Sequence, residues 1–236
     1  MTGDRRNLGP VADAREVDAF LRKVKSSPSL VGGRRGRLIF AMDATASREP
    51  SWDQASAIQA AMFNETVSLG GLSIQLCHFG GFHEFHASPW CHRPEELLGL
   101  MTQVRCAAGL TQIGRVLEHA IEEHQRLKVN ALVLVEDAME EDPAPLLDLA
   151  GRLGLLGLPA FVFQEGRDLE AERTLSAIGR LSGGAWCPFD ASSPGVLRDL
   201  LSAVAVFAAG GQRALEAFGR ERGGAVLRLT QGRKRG

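Results

Sequence analysis

The chain has 236 residues, 44% of them hydrophobic, and a formal net charge of -1 at pH 7. That supports a buried core in one large or two small domains, and the near-neutral balance excludes attraction to nucleic acid or an anionic membrane through bulk charge. Cys77, Cys91, Cys106 and Cys187 are scattered without a CxxC pair, which reads as reduced thiols used for packing.

Taken in order, residues 1–35 hold one helix over 13–25 and then a Gly/Arg linker, GGRRGR. The opening MTGDRRNLGP has no apolar signal region, and the most apolar stretch, LLSAVAVFAA (200–209), falls short of the roughly 20 residues a bilayer span needs. The expectation is a cytoplasmic protein without a membrane span. RLIFAMD (37–43) is an uninterrupted apolar strand. SWDQ (51–54) reads as a capping box for a helix over 52–69, with Ala55, Ile58, Met62 and Phe63 on its apolar face. Strands follow at 72–79 and 82–88, joined by Gly80-Gly81 as a two-residue hairpin turn. Further strands fall at 130–137, 159–164 and 185–189, and further helices at 94–105, 111–127, 143–156, 168–182 and 194–210. Residues 211–236 form a C-terminal extension in which AVLRLT (225–230) is a candidate strand and QGRKRG a basic tail.

Continuous apolar strands alternating with helices predict an α/β domain over 36–210, a mainly parallel sheet covered on both faces. The 82–88 strand is expected to be antiparallel at its edge; the 37–43 and 130–137 strands must be neighbours if the acids at their ends are to reach one ion.

In such a sheet, ligands bind beyond the carboxyl ends of the strands. Asp43 stands at one such end, with Thr45 and Ser47 at alternate positions after it. One carboxylate and two hydroxyls converging there are hard oxygen donors suited to Mg²⁺ or Mn²⁺. The same residues also serve as turn caps. Thr111, in AAGLTQIG, precedes a helix and can be read as its N-cap. Asp137 ends another buried strand, in ALVLVEDAMEED.

The set Asp43-x-Thr45-x-Ser47, Thr111 and Asp137 resembles the metal-ion-dependent adhesion site (MIDAS) of von Willebrand factor type A (VWA) domains, in order and in spacing. The resemblance spans about residues 36–210 and implies a Rossmann-like six-stranded fold. It further implies an ion held directly or through water by these five residues, with a partner's Asp or Glu carboxylate completing the octahedron. The departures are Thr45 where Ser is usual, Leu110 before Thr111, and Glu136 and Ala138 flanking Asp137. The chain looks more like stand-alone intracellular bacterial members, which implies a monomeric, non-enzymatic module that binds a protein partner, an AAA+ ATPase or chaperone machinery among the candidates.

A different class was weighed against it. Haloacid-dehalogenase-type phosphohydrolases also place a nucleophilic Asp, here Asp43, at the end of a first strand. Their chemistry needs a cation on the phosphoryl oxygens. The only lysine within the sheet domain is Lys128, which precedes its strand and so belongs to the wrong edge.

Residues 77–92 contain Cys77, His78, His83, His86, Cys91 and His92. With a Gly80-Gly81 turn, His78 faces His83, and His86 falls on the other face opposite Gln75. That spacing does not converge four ligands, so no stoichiometric zinc is expected.

Overall fold

Apart from Arg37, every residue of β1 (Gly36–Asp43) is buried. Such a strand needs a partner on each side and a cover on each face. β1 pairs in parallel with β2 (Leu72–Gly80) and with β4 (Ala131–Glu136). The computed structural model describes residues 14–26, 35–45, 49–81, 84–107, 109–166, 168–189 and 194–221. Its six-stranded sheet runs β3-β2-β1-β4-β5-β6, with β3 (Glu84–Cys91), β5 (Ala160–Glu165) and β6 (Ala185–Phe189). β3 is antiparallel at one edge, and β5 and β6 continue the parallel order.

Strand periodicity divides the core in two. Leu38, Phe40 and Met42 point to one face, where α1 (Ala14–Ser26), α2 (Glu49–Asn64), α3 (Pro94–Met101) and α7 (Pro194–Glu221) lie. Ile39 and Ala41 point to the other, covered by α4 (Ile113–Arg126), α5 (Pro143–Leu156) and α6 (Leu169–Leu181). α4 buries Ile113, Val116, Leu117, Ala120 and Ile121, the i, i+3, i+4 stripe of a helix on a sheet. Asp142 caps α5 through Ala144 N, and Asp168 caps α6 through Glu170 N and Ala171 N. α1 belongs to the same core: the Phe20 ring lies 5.2 Å from Phe163 and 6.0 Å from Phe161. α7 runs past residue 210 and breaks at Gly211 (φ 70°, ψ -166°). No helix among the described residues is long and apolar enough to cross a membrane.

Two local expectations are corrected. α2 begins at Glu49, so Ser51 lies within the helix rather than at its N-cap; Pro50 lies in the first turn, where its missing N–H is no loss. The helix ends at Asn64, where the Thr66 hydroxyl donates to Phe63 O (2.9 Å), and a single 3-10 turn (Val67–Leu69) follows. The hairpin register also differs. Gly80 pairs with Glu84, which excludes the register of a two-residue Gly80-Gly81 turn, and His78 faces His86. Further along, Ser88 and Pro89 stand opposite Leu76 alone, a bulge between the Cys77–Ala87 and Gln75–Trp90 pairs. Ser88 Oγ accepts from Leu76 N (3.0 Å) in place of the lost ladder bond. The candidate strand at 225–230 and the basic tail lie outside the described residues.

At the amino end of β1, Arg37 bonds Glu123 (3.2 Å) and stacks 3.8 Å above Trp90, whose indole N–H donates to the same carboxylate (3.0 Å). Burial pushes the Glu123 carboxyl up, but the bonds from Trp90 and Arg126 and the charges of His119 and Arg37 outweigh it, leaving the group below the ordinary range. A carboxyl depressed in the folded state stabilises above its unfolded pKa, and that contribution is lost as pH falls through the folded value. Denaturation of Glu123→Gln is therefore expected to show lower stability than wild type at neutral pH, with the gap narrowing in acid below the ordinary carboxylate range. Phe20→Ala is expected to cost about 3–5 kcal/mol in urea unfolding of the full chain, as for other buried aromatics.

Candidate functional site at the carboxyl edge of the sheet

Where β1 ends, the backbone must find new partners. Trp52 of α2 donates its indole N–H to Asp43 O (2.8 Å), a buried bond. Ala44 N donates to Phe79 O (2.8 Å), and Ala44 O accepts from Ala107 N (3.0 Å). Three loops thereby meet at this edge. They meet closely: a Cβ on Gly109 would lie 2.3 Å from Gly81 N, and one on Gly80 would lie 2.9 Å from Ala44 O. Only glycine permits that approach.

Asp43 is 1% exposed. Its Oδ1 accepts from Thr45 N (2.8 Å) and its Oδ2 from the Thr45 hydroxyl (2.6 Å). This is the turn-capping arrangement, and it also brings a carboxylate and a hydroxyl oxygen together. Ser47 lies outside the described residues. Beside β1, Met42 pairs with Val135, so Asp43 and the fully buried Glu136 follow on neighbouring strands. Asp137, half-buried, is the next residue.

Thr111 is buried but does not cap α4: the N-cap is Gln112, with no side-chain cap bond. Glu141 reaches back instead, accepting from Ile113 N and from Gly114 N (3.0 Å). Thr111 N donates to the Glu140 carboxylate (3.1 Å), and Glu140 N donates to Thr111 Oγ1 (3.3 Å). Burial raises the Glu141 carboxyl above its ordinary range; bonds from Gly114, Ile113 and Thr111 oppose this, and the Glu140 charge adds to it. Sequence reasoning missed Trp52, Glu140 and Glu141 as parts of the edge, although the acidic run EDAMEED marked the segment.

Asp43, Thr45, Thr111 and Asp137 thus lie on neighbouring segments of this edge, with Glu136 ending β4 and Glu140 and Glu141 in the loop after it. That donor set is all oxygen and fits a hard divalent cation. Asp43 and Thr45 are in direct contact, Thr111 is tied to the loop after β4, and Asp137 starts that loop. Among the described residues, no three His, Cys, Asp or Glu side chains cluster as metal ligands. Lys128 is exposed and precedes β4, at the opposite edge.

A cavity of about 450 Å³ opens beside this edge, lined by Ala44, Gly80 and Ala107 and by His78, Glu84 and His86 of the hairpin. The His78 and His86 rings stack with centroids 5.0 Å apart, and Trp52 meets His78 edge-on at 6.0 Å. Burial, aided by His86, lowers the His78 pKa to about 4.

No family model and no curated protein matches the sequence. Solved structures do match the fold. The VWA domain of SpRpn10 is 16% identical over 71% of this chain and 94% of that one, with a TM-score of 0.55. Proximal thread matrix protein 1 from the mussel byssus, with a zinc-occupied MIDAS motif, is 16% identical over 75% of this chain and 48% of that one (TM-score 0.59). The manganese-loaded TRAP protein of Plasmodium vivax is 13% identical over 72% and 75%, respectively (TM-score 0.51). The chain has the VWA fold.

The Trp52 indole bond is testable apart from any ligand. Trp52→Phe removes this donor from the buried Asp43 carbonyl, and chemical denaturation is expected to show a loss of about 0.5–1.5 kcal/mol from the bond alone, before any loss of packing.

Proposed function

We propose that this chain is a non-enzymatic protein-binding module whose carboxyl edge holds one hard divalent ion, Mg²⁺ or Mn²⁺. The observation that carries the reading is the contact of Asp43 and Thr45 oxygens, 2.6 Å apart, at the end of the strand beside Asp137, in a chain with the VWA fold. Asp43, Thr45, Ser47, Thr111 and Asp137 would be the holding residues. When bound, the ion supplies an open coordination position for a carboxylate oxygen of a partner Asp or Glu.

The protein's own residues do the rest. Trp52 and Ala107 pin the strand end, so the Asp43 carboxylate is positioned before any ion arrives. Glu140 and Glu141 hold the Thr111 loop in register with the loop after β4. The carboxylates around Asp137 favour a cation but repel an acidic partner until the ion offsets them. Partner binding is accordingly metal-dependent. The partner is a protein with an accessible Asp or Glu, in keeping with an adaptor for an AAA+ ATPase or chaperone machine in the cytoplasm. The phosphohydrolase reading lacks support at this edge, because Lys128 is on the other side.

Mn²⁺ titration followed by electron paramagnetic resonance tests the reading. Wild type is expected to take up one Mn²⁺ per chain, Asp43→Ala none, and Thr111→Val one with weaker affinity, since it removes one neutral oxygen. Pull-down of partners is expected to fail in EDTA and with Asp43→Ala. Mn²⁺ uptake unchanged by Asp43→Ala would overturn the assignment, and phosphate-ester turnover dependent on Asp43 would restore the enzyme reading.

A further inference from the structure

His78 and His86 occupy directly opposed positions on antiparallel strands. Side chains so placed stand on the same face of a sheet with Cβ atoms about 4.5–5.5 Å apart. The two rings stack at 5.0 Å with 29° between their planes, and both line the same cavity. Among the described residues, His92, His119 and His124 each engage a ring nitrogen in a hydrogen bond, with Ser73, Gln75 and Val129. No such bond involves His78 or His86. His78 is half-buried against Trp52, whereas His86 is exposed. Two imidazoles held together on one face and open to a cavity present ring nitrogens to whatever enters it.

We infer that the β2–β3 hairpin is a second metal site, in which His78 and His86 clamp a borderline transition ion such as Ni²⁺, Zn²⁺ or Cu²⁺. Metal–nitrogen bonds of about 2.0–2.1 Å lie in the ring planes, so the two rings would turn out of their stack about their side-chain bonds for the nitrogens to converge on one ion. Glu84 precedes His86 by two residues on the same face, but its carboxylate lies against Gly81, 3.3 Å from where a Cβ would be. No third ligand stands with the pair among the described residues. The remaining positions therefore go to water, and the site exchanges its ion readily, unlike a closed four-ligand structural site. Ligand chemistry separates the two sites: the rim offers only oxygen and suits Mg²⁺ or Mn²⁺, whereas imidazole suits the later ions. This assignment does not depend on the rim being occupied.

Calorimetric titration of the full chain with Ni²⁺, in excess Mg²⁺, tests the site. One Ni²⁺ per chain is expected for wild type, Asp43→Ala and His92→Ala. His78→Ala and His86→Ala are expected to weaken binding by about tenfold or more, at least the loss seen for lesser changes around a metal. His86 is exposed, so His86→Ala keeps the test valid should His78→Ala disturb packing on Trp52; circular dichroism verifies its fold. Absence of Ni²⁺ uptake in wild type, affinity unchanged by His86→Ala, or uptake lost in Asp43→Ala or His92→Ala would each overturn the proposal.

Discussion

A carbonyl buried at the end of a central strand needs a donor, and leaving it unpaired is costly. Trp52 resolves this for Asp43 with one indole N–H. The bond does more than satisfy an acceptor. It docks α2 onto the strand end, while the Asp43 side-chain oxygens accept from Thr45. The next residue, Ala44, is held from two sides, by Phe79 O and Ala107 N. The positions of the hairpin loop and the Thr111 loop follow from those attachments and from the glycine contacts at Gly80 and Gly109.

The two ends of the sheet are treated differently. At the amino end, Arg37 and Arg126 meet Glu123, Arg126 also meets Glu122, and opposite charges are paired with Trp90 stacked on Arg37. At the carboxyl end, acids accumulate, and the Glu141 carboxyl is held above its ordinary range rather than below it. A fold selected for stability alone would gain little from that second arrangement. It is in keeping with the ion site proposed for this edge.

Much of this was legible beforehand, for a physical reason. Strands such as RLIFAMD and ALVLVED are apolar without interruption because both faces are covered, so they could be read as buried parallel strands; that they are neighbours came from the resemblance, which needs Asp43 and Asp137 to reach one ion. The features that were not legible depend on contacts distant in sequence or on a local count of residues. Glu141 serves the start of α4 from 27 residues away, and nothing near Gln112 announces it. The Gly80-Gly81 pair suggested a two-residue turn, but pairing resumes at Glu84, which places His86, rather than His83, against His78. The α2 start was misplaced because Ser51 fits a cap pattern, while Pro50 is the residue that marks the first turn.

The bulge in β3 has a consequence for how copies of this protein meet. An exposed outer strand is a template onto which another chain can zip its backbone. Here the β3 edge is interrupted by Pro89, which has no N–H to offer, at the point where Ser88 has already spoiled the spacing. On the far side, β6 carries Pro188, and α1 packs against that strand. Neither margin presents a continuous row of amide donors. Crowded together during synthesis, molecules of this chain are discouraged from fusing sheet to sheet into fibrillar aggregates, and recognition is left to side chains on the loops.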